Sequence, residues 1–385
     1  MSNAFANIII SQTSLIFKSI KKNHGEVLFR LSSKLFIVLM SLLLDSSLFG
    51  SLVLVFVNEA IFSNILRFGQ DRRLLSLEDR RKIPLKEYFI LSIISILIYF
   101  FFTIFYFKLN FLLLVIPLSL FSTIYFLMNV RNRIVNLKVY NRLRNFELFV
   151  RFFIAPIGLT YNIETFLVIL IFSYLVMIFL NFKFFKKTFT ILKIDLTSFW
   201  KFTSFTFHSA IAFLITGVDK ILITKNLGIA AQGDYSKIFS MIGLVSLIYL
   251  FLSFIFEPKF YNSKNIKEVE NNYLKLCYLL IIPASVIIYF FSFYFQIIDI
   301  SDTLIFCLLA CLFMTYPYEF SKIYILTKFK EINKIVKAGI IQLLIILVLT
   351  LFLKNYFSVV LMILVLISSK IIGIIYLTKK IKWIK

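Results

Sequence analysis

Nine ionisable side chains sit inside long apolar runs of this sequence: Arg30, Lys34, Glu59, Arg151, Asp219, Lys220, Glu319, Lys322 and Lys370. Charges in such surroundings are costly and face a protein interior or a water-filled path. Six are basic and three acidic, so the set leans towards holding an anion by charge-assisted hydrogen bonds. Asp219 and Lys220 are adjacent, which on a helix turns them about 100° apart. They cannot both face lipid cheaply. Ser204, His208, Ile215 and Asp219 share one stripe at the helical period. His208 and Asp219 could relay a proton on that stripe, whereas a single His near a membrane surface more simply hydrogen-bonds a neighbour. Arg30, Arg151, Lys322 and Lys370 lie near the ends of apolar runs, where long side chains can reach back to water. Glu319 and Lys322 are spaced i,i+3 and can pair with each other. Lys34 and Glu59 fall at similar depth in consecutive runs, and suit a structural ion pair as well as a transport role.

Motifs for covalent chemistry are missing. The sequence has no GxxxxGK[ST] phosphate loop and no GxSxG or HExxH. Cys277, Cys307 and Cys311 lie in apolar runs without CxxC spacing. They read as small buried residues rather than a disulfide framework or metal site. With His24 and His208 the only histidines, a His-based metal centre is not expected. No enzyme activity and no cofactor is expected either.

The elements that must position these residues follow from composition. The chain has 385 residues, is 60% hydrophobic and 16% charged, and has a mean hydropathy of +0.93. A soluble domain is about 45–50% apolar and about 25% charged, so a water-soluble globular enzyme is excluded. A bilayer core needs about 20 apolar residues per helix. Twelve such segments are expected, at 27–45, 47–66, 88–107, 109–129, 146–162, 164–184, 205–227, 237–256, 274–298, 302–327, 334–354 and 356–378. The fold class is therefore all-α and polytopic. Residues 1–26 carry Lys18, Lys21 and Lys22 after their apolar stretch, with no small-residue cleavage site. They suit an interfacial helix or an extension of helix 1 better than a secretory signal. Pro117, Pro156, Pro283 and Pro317 should kink their helices. Tyr316, Tyr318 and Tyr324 in helix 10 are candidates for stacking on sugar rings.

The formal charge of +23 tests the parse. On a soluble protein it would suggest nucleic acid, but here it reports topology. Lys and Arg collect in short cytoplasmic connections, and 32 of the 42 basic residues fall in the even-numbered connections and the two termini. Both termini are thus expected to be cytoplasmic. The opposite connections are small, the largest being NLGIAAQGDYSK after helix 7. Residues 67–87 and 184–204 should lie as amphipathic stretches on the membrane surface. The second divides the chain into a six-helix half over 1–184, a linker over 185–204 and a six-helix half over 205–385, a common transporter plan.

Helix 7 and its sequel read Gly217-Val218-Asp219-Lys220-Ile221-Leu222, then Asn226-Leu227-Gly228, then Gly233-Asp234-Tyr235-Ser236. Phe49-Gly50 precedes helix 2, and Arg67-Phe68-Gly69 ends it. These stretches resemble the O-antigen and polysaccharide flippases of the multidrug/oligosaccharidyl-lipid/polysaccharide exporter superfamily. The resemblance implies movement of an undecaprenyl-pyrophosphate-linked oligosaccharide across the bacterial inner membrane by alternating access. It also implies H⁺ or Na⁺ as coupling ion, with an O-antigen polymerase and chain-length regulator as further partners. Pyrophosphate and glycan cannot cross hydrocarbon unaided. Lys34, Lys220, Arg30 and Lys322 are then the expected substrate contacts. Asp219, Glu59 and His208 are the expected coupling residues or structural partners. A multidrug exporter of the same superfamily should instead show an acidic lumen. An O-antigen polymerase or ligase should carry a long outer loop with catalytic Arg or His.

Overall fold

The computed structural model describes residues 24–75, 82–104, 109–190, 211, 214–329 and 331–381. His208, most of the expected linker and nearly all of residues 1–26 lie outside them. The described chain forms twelve main helical stretches and is an all-α, multi-pass membrane protein. They are α1 His24–Leu43, α2 Ser46–Leu66, α3 Leu85–Phe102, α4 Val115–Val135, α5 Leu137–Phe149, α6 Ile163–Leu180, α7 over 214–227, α8 Ile229–Ile242, α9 Ile266–Tyr294, α10 Thr303–Lys328, α11 Ile332–Phe352 and α12 Val359–Ile381. Two of them run on. α5 continues through a π-helical turn Val150–Ile154 and a 3-10 turn Ala155–Thr160, and α8 through a 3-10 turn Gly243–Val245 into Ser246–Asn262. Among the described residues, eight spans meet both the length and the apolarity needed to cross a membrane. In lipid the backbone must satisfy its own hydrogen bonds, which is why runs of this composition become helices.

Side chains stop the helices at defined places. The Asp45 carboxylate accepts from the Ser47 and Leu48 amides at 2.9 and 3.0 Å and starts α2. Asn162 accepts from the Thr165 amide at 2.7 Å and starts α6. Such caps satisfy amides that have no partner within the helix. Pro283 and Pro317 lie inside α9 and α10, and Pro258 lies inside the extension of α8.

The buried apolar residues gather mainly into two cores. One runs from Phe36 to Phe189 with Ile221 added, and the other from Ile215 to Leu366. α2 is enclosed on nearly all faces, whereas α9 presents most of its surface outward. α2 packs along α8, which brings the two cores into contact. A short parallel pairing joins Ile83–Pro84 to Phe189–Thr190. It places the connection before α3 and the connection after α6 at the same end of the bundle. We call this the basic end, because Arg67, Lys82, Lys183, Lys186 and Lys187 cluster there.

Three expectations need correction. The stretch after helix 7, expected as an outer loop, is the first turns of α8: Gly228 at φ +92° turns α7 directly into it. An L residue rarely adopts that φ. α5 begins at Leu137, because Asn136 caps it by accepting from the Val139 amide at 3.2 Å. Of the three cysteines only Cys277 is buried, while Cys307 and Cys311 are exposed on α10.

Candidate functional site

Between the two cores lies a central cavity that is narrow towards the far end and wide towards the basic end. The narrow part, about 270 Å³, is lined by Lys34, Val57, Ala60, Gly217, Lys220 and Phe239, among others. The wide part, about 710 Å³, carries Lys34 and Ala60 again, with Arg144, Arg151, Glu257 and Tyr324. A polar side pocket of about 180 Å³ opens from it beside Glu59, Arg67, Arg144, Glu147, Arg151 and Tyr174.

At the far end glycines bring α2 and α8 into close contact. A methyl group added at Gly233 of α8 would overlap the Ser46 carbonyl, and one at Gly50 of α2 would overlap the Ile229 carbonyl. The missing side chains let the two backbones touch, and the Ser46 hydroxyl donates to the Asp234 carboxylate across the same contact. Both glycines belong to the motifs singled out in the sequence.

Asp219 and Lys220 are both buried, and their side chains curl together. Nζ lies 2.7 Å from Oδ2, and the Tyr235 hydroxyl donates to the same Oδ2 at 2.5 Å. The other carboxylate oxygen, Oδ1, is buried and has no hydrogen-bond partner among the described residues. Lys220 also stands 3.7 Å over the Phe239 ring. Lys220 therefore reaches the cavity as the partner of Asp219 in an ion pair.

Glu59 does not pair with Lys34. Its carboxylate takes both terminal nitrogens of Arg151, one at 3.1 Å and the other closer. Arg151 was expected to reach back to water, but the π-helical turn holding it aims the guanidinium inward. The network continues: Arg151 donates to the Tyr174 hydroxyl at 3.3 Å, Tyr174 donates to Glu147 at 3.0 Å, and Arg144 pairs with Glu147 at 2.6 Å. Arg144, Glu147 and Arg151 are spaced i, i+3 and i+7 on one face. That spacing is visible in the sequence, but a helix 5 starting at 146 leaves Arg144 outside the helix and the face incomplete.

With Glu59 taken, Lys34 makes no hydrogen bond or ion pair among the described residues. It is exposed to the cavity and close enough to Lys220 for the two charges to repel. Arg30 lies one turn away on α1.

The second core holds two further pairs. Glu319 and Lys322 do not pair with each other. Lys370 of α12 reaches Glu319 at 2.8 and 3.1 Å, with Gln342 donating to it at 2.8 Å. Lys322 reaches Glu270 of α9 at 2.7 Å, so it is occupied and lines none of the three cavity regions. Neither Lys322 nor Lys370 reaches back to water. Of the three tyrosines in α10, Tyr324 faces the wide cavity, Tyr316 a small pocket beside Glu319, and Tyr318 packs under Lys322 at 4.5 Å. No three His, Cys, Asp or Glu side chains converge on a metal position among the described residues.

No protein-family model and no curated protein matches this chain. Its fold is similar to that of a multidrug resistance MATE family transporter of the MOP superfamily, solved in an inward-facing conformation. The TM-score is 0.62 at 12% identity, over 92% of this chain and 94% of the other. The likeness shows a shared fold.

Proposed function

We propose that this protein is a transporter of the multidrug/oligosaccharidyl-lipid/polysaccharide exporter superfamily that moves a lipid-linked oligosaccharide pyrophosphate across the bacterial inner membrane. The observation that carries this reading is Lys34, an ammonium in the central cavity beside Lys220 with no ion pair among the described residues. A cation without a carboxylate partner stabilises an anion by a charge-assisted hydrogen bond. Each carboxylate lining the cavity is engaged: Glu59 by Arg151, Glu147 by Arg144 and Tyr174, and Glu257 by Tyr261 at 3.5 Å. A cationic drug would have to displace one of these partners, although the fold itself serves the multidrug reading equally well.

In this mechanism the substrate enters from the wide, basic end with its pyrophosphate against Lys34 and Lys220. The contact between α2 and α8 at Gly50 and Gly233 then parts, and the opposite end closes. Asp219, whose Oδ1 is buried and unpartnered, is the position for a coupling H⁺ or Na⁺. The chain does no covalent chemistry in this scheme.

The test is translocation of a labelled polyprenyl-pyrophosphate oligosaccharide in proteoliposomes. Lys34→Ala and Lys220→Ala should each slow it about 10-fold or more, the equivalent of one hydrogen bond to a charged group. Full activity in both variants would sink the assignment.

A further inference from the structure

Arg67 is the one guanidinium of the side pocket that has no ion pair among the described residues. It forms the C-cap of α2, and the chain turns away behind it through Phe68 at φ +47° and Gly69 at φ +67°. Phe68 is buried edge-on against Tyr88, which holds this turn. The guanidinium carbon lies 3.9 Å from the centre of the Phe126 ring, a contact that holds the side chain in place. Its Nε is buried and has no hydrogen-bond partner among the described residues. Beside it, Arg144 stands 3.4 Å over Phe29. Five charges line the pocket, Arg67, Arg144 and Arg151 against Glu59 and Glu147, which leaves an excess of one positive charge. Asp71, outside the lining, acts on Arg67 only through its field.

A buried donor without an acceptor, held rigid in a polar pocket of net positive charge, is complementary to an anionic oxygen group. We propose that this pocket is a second anion subsite, separate from Lys34 and Lys220, that binds a phosphate or carboxylate group of the substrate at the basic end. Arg67 lies seven residues, or about 10 Å of helix, beyond Ala60. One phosphate group therefore cannot touch Arg67 and the narrow cavity together. The two sites are connected, because Ala60 borders the narrow cavity, the wide cavity and the side pocket. The anion comes either from the carrier's pyrophosphate at entry or from an acidic sugar of the glycan. The subsite rests on the proposed function for the identity of the substrate only.

The experiment uses the full chain in phosphatidylcholine nanodiscs at low salt, where surface screening is weak. Inorganic pyrophosphate and a glucuronate disaccharide are titrated separately by calorimetry in the Lys34→Ala background. At least one should bind. Arg67→Gln should weaken it at least 10-fold, and Arg67→Lys by less. Binding of pyrophosphate alone assigns the subsite to the carrier, and binding of glucuronate alone assigns it to the sugar. No binding of either probe, or binding unchanged by Arg67→Gln, overturns the subsite. A measurement on the unmutated chain guards against misfolding: phenylglyoxal should modify Arg67, and the bound probe should protect it. Modification undiminished at saturating probe also overturns the proposal. Loss of this subsite with Lys34-dependent translocation intact leaves the proposed function standing. Arg67-dependent binding without translocation does the reverse.

Discussion

Glu59 and Arg151 show what one residue can decide. Glu59 is buried and Arg151 mostly so, at 6% and 16% side-chain exposure. Removing one partner leaves an uncompensated charge, at a cost of about 3–5 kcal/mol. Glu59→Gln should therefore lower the unfolding temperature in detergent sharply, and Glu59→Gln with Arg151→Gln should recover part of the loss. A double variant no more stable than Glu59→Gln would contradict the pairing. Lys34→Ala removes no partner, so its unfolding should stay within about 0.5 kcal/mol of the parent, as for substitutions away from packed or paired features. The sequence made both residues visible as intramembrane charges. It could not say that Glu59 belongs to Arg151, because the partners lie 92 positions apart and meet only through the packing of α2 and α5.

At the scale of elements, the contact between α2 and α8 stands out. Gly50 and Gly233 bring the two backbones together, and Ser46 and Asp234 bridge them. Gly233→Ala must push α8 off the start of α2, since the obstacle is a backbone carbonyl that cannot rotate away. Its expected effect is a bias towards opening at the far end. Cysteines placed at Val53 or Ser236 should then react faster with an impermeant maleimide applied from that side, by a few-fold or more. Reactivity equal to that of the parent would show that this contact does not close the cavity. The sequence displayed the glycines within its most distinctive stretches, but it read the second as part of a loop. Polar and small residues in NLGIAAQGDYSK look like loop material when burial is unknown. In the structure Gln232, Tyr235 and Ser236 are buried between helices, and the polarity serves packing and bonding instead.

For the whole molecule, the pairing of Ile83–Pro84 with Phe189–Thr190 fixes which connections share an end. Single cysteines at Asn265 and Glu331 should label from the same side as one at Lys183. Cysteines at Ile300 and Asn355 should label from the other side. Labelling of all five from one side would break the twelve-helix alternation. The sequence by itself determined the all-α, multi-pass class and set the expectation for the number, order and alternation of the helices. Each of these depends on about 20 consecutive residues and on the charges that flank them, and both are local properties. The tertiary structure alone decided which charges are neutralised. Helices that are apolar all round do not announce an inward face, so rotation and contact must be set by packing against distant parts of the chain. That packing joins Arg151 to Glu59, Lys370 to Glu319 and Lys322 to Glu270, and leaves Lys34 and Arg67 without ion-pair partners among the described residues.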